Sequence, residues 1–192
     1  MKKMKKLLVA LLCSLMLAPA IAAVDVYEHD PDHTFAFFEF NHLGFSTQRD
    51  RFDKVSATVS LDLENQMGSV EVSIDVQSIS TGSLLFDQVL RSDMFFDVDR
   101  FPVITFKSTQ FIFGTLDNVT AVQGNLTVKG ITRPVTLTVT HFKCMMHPML
   151  RKPACGLNAT GKVRRSDFNL GRFVPLIRDE ITLHVVMEAL KR

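Results

Sequence analysis

Apolar residues that return at every second position constrain this chain more than any other feature. Val55, Ala57, Val59, Leu61 and Leu63 alternate with polar neighbours, and Val70, Val72, Ile74 and Val76 repeat the pattern. A period of two sets one face of an extended strand on a core and the other in water. Similar strand-like runs cover Val103–Phe113, Val119–Val128 and residues 34–41, 132–142, 157–164 and 181–189. Gln66-Met67-Gly68, Asp117-Asn118, Lys129-Gly130 and the proline-flanked loop 148–153 separate them as turn signals. Within Val103–Phe113 the apolar parity slips from Ile104 and Phe106 to Phe111 and Phe113, which predicts a β-bulge at 108–110. Only residues 83–91 read as helix, with Ser83 as N-cap and Leu84, Leu85, Val89 and Leu90 on the apolar side. About eight strands, one short helix and no crossover helices predict an all-β fold, an antiparallel barrel or sandwich.

The aromatic usage narrows what such a fold encloses. Phe occurs 16 times, Tyr once and Trp never. Rings without polar handles suit a dry interior better than sugar or peptide recognition, and a closed eight-stranded barrel has room for one small ligand. In the run 34–41, Glu39 and Asn41 mark the outer face. Ala36, Phe38 and Phe40, leading to His42, should then face inward. Phe35 and Phe37 fall on the outer face, to be covered by the helix or by a second copy in a homodimer.

The N-terminal segment has a different purpose. Lys2, Lys3, Lys5 and Lys6 precede an apolar run from Leu7 to Leu17, and Ala18-Pro19-Ala20-Ile21-Ala22 supplies a small-x-small cleavage pattern. This is the form of a cleaved secretory signal, residues 1–22, leaving 23–192 as a single domain. No later segment has the roughly twenty apolar residues of a membrane span, so no permanent membrane anchor is expected. Outside those four lysines the chain carries 18 basic and 20 acidic side chains. That balance lacks the basic excess of a nucleic-acid binder.

Export leaves Cys144 and Cys155 as an even pair in an oxidising compartment, which predicts a disulfide closing the loop between them. The alternative is a copper or zinc site built from Cys144, His147, Met149 and Cys155, since thiolate, thioether and imidazole suit those ions. It requires both cysteines to stay reduced. The chain contains no GxSxG, Walker loop, GxGxxG or HExxH pattern. His29, His33, His42, His141, His147 and His184 are scattered, and Pro31 between the first two argues against a helix pairing them. Nothing in these residues points to an enzyme or a cofactor.

Several short motifs, in order along nearly the whole chain, resemble one known family. Asp32-His33-Thr34 is followed by Phe38 and His42-Leu43-Gly44-Phe45-Ser46, then by Ser78-Ile79-Ser80-Thr81-Gly82 and Leu90-Arg91-Ser92-Asp93-Met94-Phe95-Phe96-Asp97. Phe101-Pro102-Val103-Ile104-Thr105-Phe106-Lys107-Ser108-Thr109 comes next. Gly124-Asn125-Leu126-Thr127-Val128-Lys129-Gly130-Ile131-Thr132-Arg133-Pro134-Val135 follows it, and Gly161 with Arg165-Ser166-Asp167-Phe168 closes the series. The sequence is similar to the YceI family of bacterial periplasmic, lipocalin-like lipid-binding proteins. That resemblance implies an antiparallel eight-stranded barrel whose elongated apolar cavity holds an isoprenoid or other long-chain amphiphile, and a homodimer; no cofactor is expected. By strand parity and motif position, the expected cavity wall is Ala36, Phe38, Phe40, Phe45, Phe95, Ile104, Phe106 and Phe168. His42, Arg91 and Arg165 are candidate head-group partners, although Arg91 and Arg165 could equally pair with Asp93 and Asp167. Family members commonly carry Arg-Asp-x-His where this chain has Phe86-Asp87-Gln88-Val89, and often Gly where it has Asp50. Loss of that Arg and His implies a neutral head group, such as a quinone, amide or alcohol.

Overall fold

The computed structural model describes residues 24–115 and 118–192; the expected signal segment and Asp117 of one turn signal lie outside the described residues. Strands β1 (Asp25–His29), β2 (Phe35–His42), β3 (Ser46–Phe52), β4 (Val55–Asp62), β5 (Met67–Asp75) and β6 (Ile79–Ser80) precede helix α1 (Leu84–Arg91). Strands β7 (Val103–Phe113), β8 (Val119–Val128), β9 (Ile131–Met146), β10 (Pro153–Arg164) and β11 (Glu180–Lys191) follow it. The antiparallel order β1-β4-β5-β7-β8-β9-β10-β11 returns to β1 and closes an eight-stranded barrel. Strand β11 changes partner along its length: Thr182 to Val186 pair with β2, whereas Ala189 and Lys191 pair with β1. Strands β3 and β6 extend the sheet beyond β2.

The alternating residues do what their period requires. Val55, Ala57, Val59 and Leu61 of β4 are buried, as are Val70 and Ile74 of β5 and Ile104 and Phe106 of β7. The ladder between β7 and β8 shifts register between Ser108 and Gln110, so the bulge read from the parity slip is present. Opposite it, Gly124 leaves space for the Phe106 ring, whose edge would collide with any added Cβ. The eight runs legible in the sequence include β2, which lies outside the closed ring, and lack β1, which belongs to it. Only Tyr27 is buried in β1, so that strand carries no alternating signal. Strand β3 is equally silent because a carboxylate, Asp50, occupies one of its two inward positions.

Helix α1 starts where the sequence places it, with the Ser83 hydroxyl accepting from the Phe86 N–H. Its orientation corrects the expected apolar side. Leu84 and Leu85 are 81% and 73% exposed, and the face turned inward is Phe86, Asp87, Val89 and Leu90. Asp87 fixes that rotation, because its buried carboxylate accepts the Thr81 N–H at 2.8 Å. Phe35 and Phe37 are half-buried with ring centroids 6.3 Å apart; the Arg51 guanidinium lies 5.0 Å above Phe35, and Phe37, expected outside, lines the cavity.

Candidate functional site: an apolar cavity in the barrel

The inward faces of the strands and α1 enclose a cavity of about 310 Å³. Among the described residues every lining side chain except His42, Arg165 and His184 is apolar. Ala36, Phe38, Phe40, Phe95, Ile104, Phe106 and Phe168 all line it. Phe38 stands at the centre of an aromatic cluster, with ring centroids 5.7 Å from Phe52, 6.2 Å from Phe96 and 6.3 Å from Phe40. Phe45, expected on the wall, is 88% exposed instead. Left-handed backbone at Leu43 and Gly44 makes a tight turn, closed by the Phe45 N–H donating to the His42 carbonyl, and the turn carries the Phe45 ring outside. Phe86 and Val89 from the helix, which motif position put at the mouth but not on the wall, line it too, as does Phe173 from the loop before β11, which the sequence reading missed. Neither segment has a period-two signature that could have assigned them.

The polar candidates separate. Arg165 lies on the wall, but its guanidinium donates to the carbonyls of Leu170, Arg172, Ile177 and Arg178. It therefore ties down the loop before β11, in place of the expected Asp167 pair. Burial lowers its pKa from the ordinary arginine value, and Asp179 opposes that shift. Arg91 does not line the cavity; it donates to the Ile79 carbonyl at 2.7 Å and stands 4.0 Å from Asp87, not against Asp93. His42 remains, on the wall, with its backbone bridged to Ile177.

Behind the aromatic wall lies a pair of carboxylates. Asp50, opposite Phe38 in the ladder between β2 and β3, is buried and one of its oxygens has no hydrogen-bond partner. Burial, and then the charge of Asp87, push its pKa from 3.8 up to about 6.

Cys144 and Cys155 face each other across β9 and β10 and form a disulfide. In this bond neither sulfur is a free thiolate, so the alternative metal set of Cys144, His147, Met149 and Cys155 would require its reduction. The His147 ring instead accepts the Leu150 N–H at 3.1 Å and orders its own hairpin loop. Elsewhere on the surface, Asp30, His33 and Glu188 bring ligand-capable atoms within 4.8 Å of one another, and none of them lines the cavity. Among the described residues no helix is long and apolar enough to cross a membrane.

A closed antiparallel barrel wrapped around one apolar cavity defines the class of protein. The YceI-like domain family matches residues 27–189, and the chain belongs to the YceI family. It is 32% identical over 191 residues to a UPF0312 protein of Enterobacter sp. (strain 638), with 98% of each chain covered. The identity and coverage are the same for Protein YceI of Salmonella enteritidis PT4. Among solved structures it resembles BcnA of Burkholderia cenocepacia, with TM-score 0.71 and 22% identity over 83% of this chain and 98% of that one. A polyisoprenoid-binding domain from Saccharophagus degradans superposes with TM-score 0.64 at 15% identity, over 86% of this chain and 98% of that one. At these identities the structural likeness concerns the fold.

Proposed function

We propose that the protein is a non-catalytic periplasmic carrier or store for a long-chain isoprenoid or similar amphiphile. The carrying observation is the cavity wall, on which His42, His184 and Arg165 are the only polar side chains among the described residues and four of the five Arg165 N–H donors are spent on carbonyls. Affinity for such a wall must come from apolar burial, at about 25 cal/mol per Å². The polyisoprenoid-binding function named for the Saccharophagus degradans domain supports the same ligand class. Phe86 and Val89 line the cavity at the two positions where family members commonly have Arg and His, which favours a neutral head group beside His42. Export through residues 1–22 agrees with the disulfide, a bond of oxidising compartments. The proposed working form is a homodimer.

The test is purification of the native protein from periplasm, organic extraction and mass spectrometry of what it carries. A stoichiometric prenyl-chain lipid with an uncharged head is the expected result. Well-folded protein that yields an empty extract overturns the constitutive carrier, and a pyrophosphate head overturns the neutral-head assignment.

A further inference from the structure

The cavity opens to solvent beside an exposed apolar rim. Phe173 lines the cavity and is itself 49% exposed, so its ring stands at the opening. It packs on Phe95 at 6.4 Å between ring centroids. Two loops meet there. Ile177 bridges to His42, and the Arg178 N–H donates to the Asn41 carbonyl, so the loop before β11 runs antiparallel to the end of β2. Leu176 directly precedes the bridged Ile177 and Leu43 directly follows the bridged His42, so the turns 172–176 and 43–45 begin side by side. Leu176 is 70% exposed and Leu43 46%, and with Phe45 and Phe173 they form an apolar rim that the chain leaves uncovered. Outlay of this kind on the surface marks an interaction site.

Charge selects the occupant. Segment 41–49 contains His42 and Arg49 and no acid, and segment 169–178 contains Arg172 and Arg178 and no acid. Arg49 is engaged by Glu39, whereas Arg172 lies over the Phe173 ring at 5.1 Å, within the rim itself. A two-fold contact of this rim with a second copy would set Arg172 against its own counterpart with no acid in segments 41–49 or 169–178 to meet it, whereas Arg178 already acts on Glu180. An anionic bilayer offers the complement to both features: hydrocarbon for the rings and phosphate charge for the guanidinium groups.

We propose that this rim docks the protein on an anionic lipid surface, with the cavity opening turned toward the bilayer. The proposal rests on the carrier reading, because it gives a bilayer-resident cargo a path into the barrel that avoids water.

The test uses the purified protein and sedimentation with vesicles of phosphatidylcholine alone or mixed with phosphatidylglycerol. The native protein should pellet with the mixed vesicles and less with the neutral ones, and added salt should release it. Phe45→Ser with Leu176→Ser changes two exposed side chains that do not line the cavity, and should weaken pelleting about tenfold or more. Arg172→Gln with Arg178→Gln should abolish the preference for phosphatidylglycerol. Circular dichroism and extraction of co-purifying lipid run in parallel on each variant. Native protein left in the supernatant overturns the docking surface, as does a serine variant that pellets like the native chain. A rim variant that instead shifts sedimentation velocity from dimer to monomer, with no vesicle binding by the native protein, assigns the rim to a second copy. Vesicle binding by a protein that never carries lipid overturns the carrier reading and leaves the docking intact.

Discussion

Asp50 shows how a single residue can work against the fold that contains it. Its carboxyl is buried without a full set of partners, and its pKa stands near 6 against 3.8 for the free side chain. A folded value above the unfolded one means that the fold prefers the neutral form. The stabilisation is complete below about pH 4 and is lost as pH rises through about 6, roughly 2–3 kcal/mol in all. Asp50→Asn removes the titration. Thermal unfolding of the two proteins should give similar Tm values near pH 4, and the variant should melt roughly 5–10 °C higher near pH 7.5. A Tm difference that is constant across that range refutes the assignment. The same position explains a gap in the sequence reading, since an acid at an inward site of β3 erases the alternation that identifies a strand.

Helix α1 carries the lesson at the scale of an element. Periodicity correctly located it and its Ser83 cap, but Leu84 and Leu85 look like the best inward residues only while the helix is considered alone. In the fold the buried Asp87 and the Thr81 N–H set its rotation, which delivers Phe86, Val89 and Leu90 to the cavity. Leu84→Ser should therefore change stability by less than about 0.5 kcal/mol, as surface substitutions do. Leu90→Ala, at a buried site, should cost about 2–5 kcal/mol. Urea denaturation of both variants checks the ranking, and equal costs would place Leu84 in the core.

For the whole molecule, the decisive property is an apolar volume enclosed by a closed ring of hydrogen-bonded strands. Such a volume contributes no packing energy until a chain fills it. Val72 lies half-buried on its wall, so Val72→Trp should occupy part of the space that a ligand would take. The expected outcome is a large drop in co-purifying lipid, measured by mass spectrometry, with a folded circular dichroism spectrum. Unchanged lipid content in the variant would put the ligand elsewhere.

The sequence by itself determined an all-β barrel or sandwich, most strand positions, the β7 bulge and the helix cap; family resemblance selected the barrel, and an even cysteine count in an exported chain favoured the Cys144–Cys155 disulfide over a metal site. The strand positions, bulge and cap follow from local physics: side chains alternate on a strand, and a hydroxyl caps a helix start. It also marked Ala36, Phe38, Phe40, Ile104 and Phe106 as inward, because parity is a local property. Tertiary structure alone decided the rest. The partner exchange along β11, the membership of β1 in the ring, the outward Phe45 and the inward Phe86 depend on contacts between segments far apart in the chain. Arg165 is the clearest case: its charge is legible in the sequence, but the four carbonyls that take four of its five donors are assembled only by the folded loop before β11.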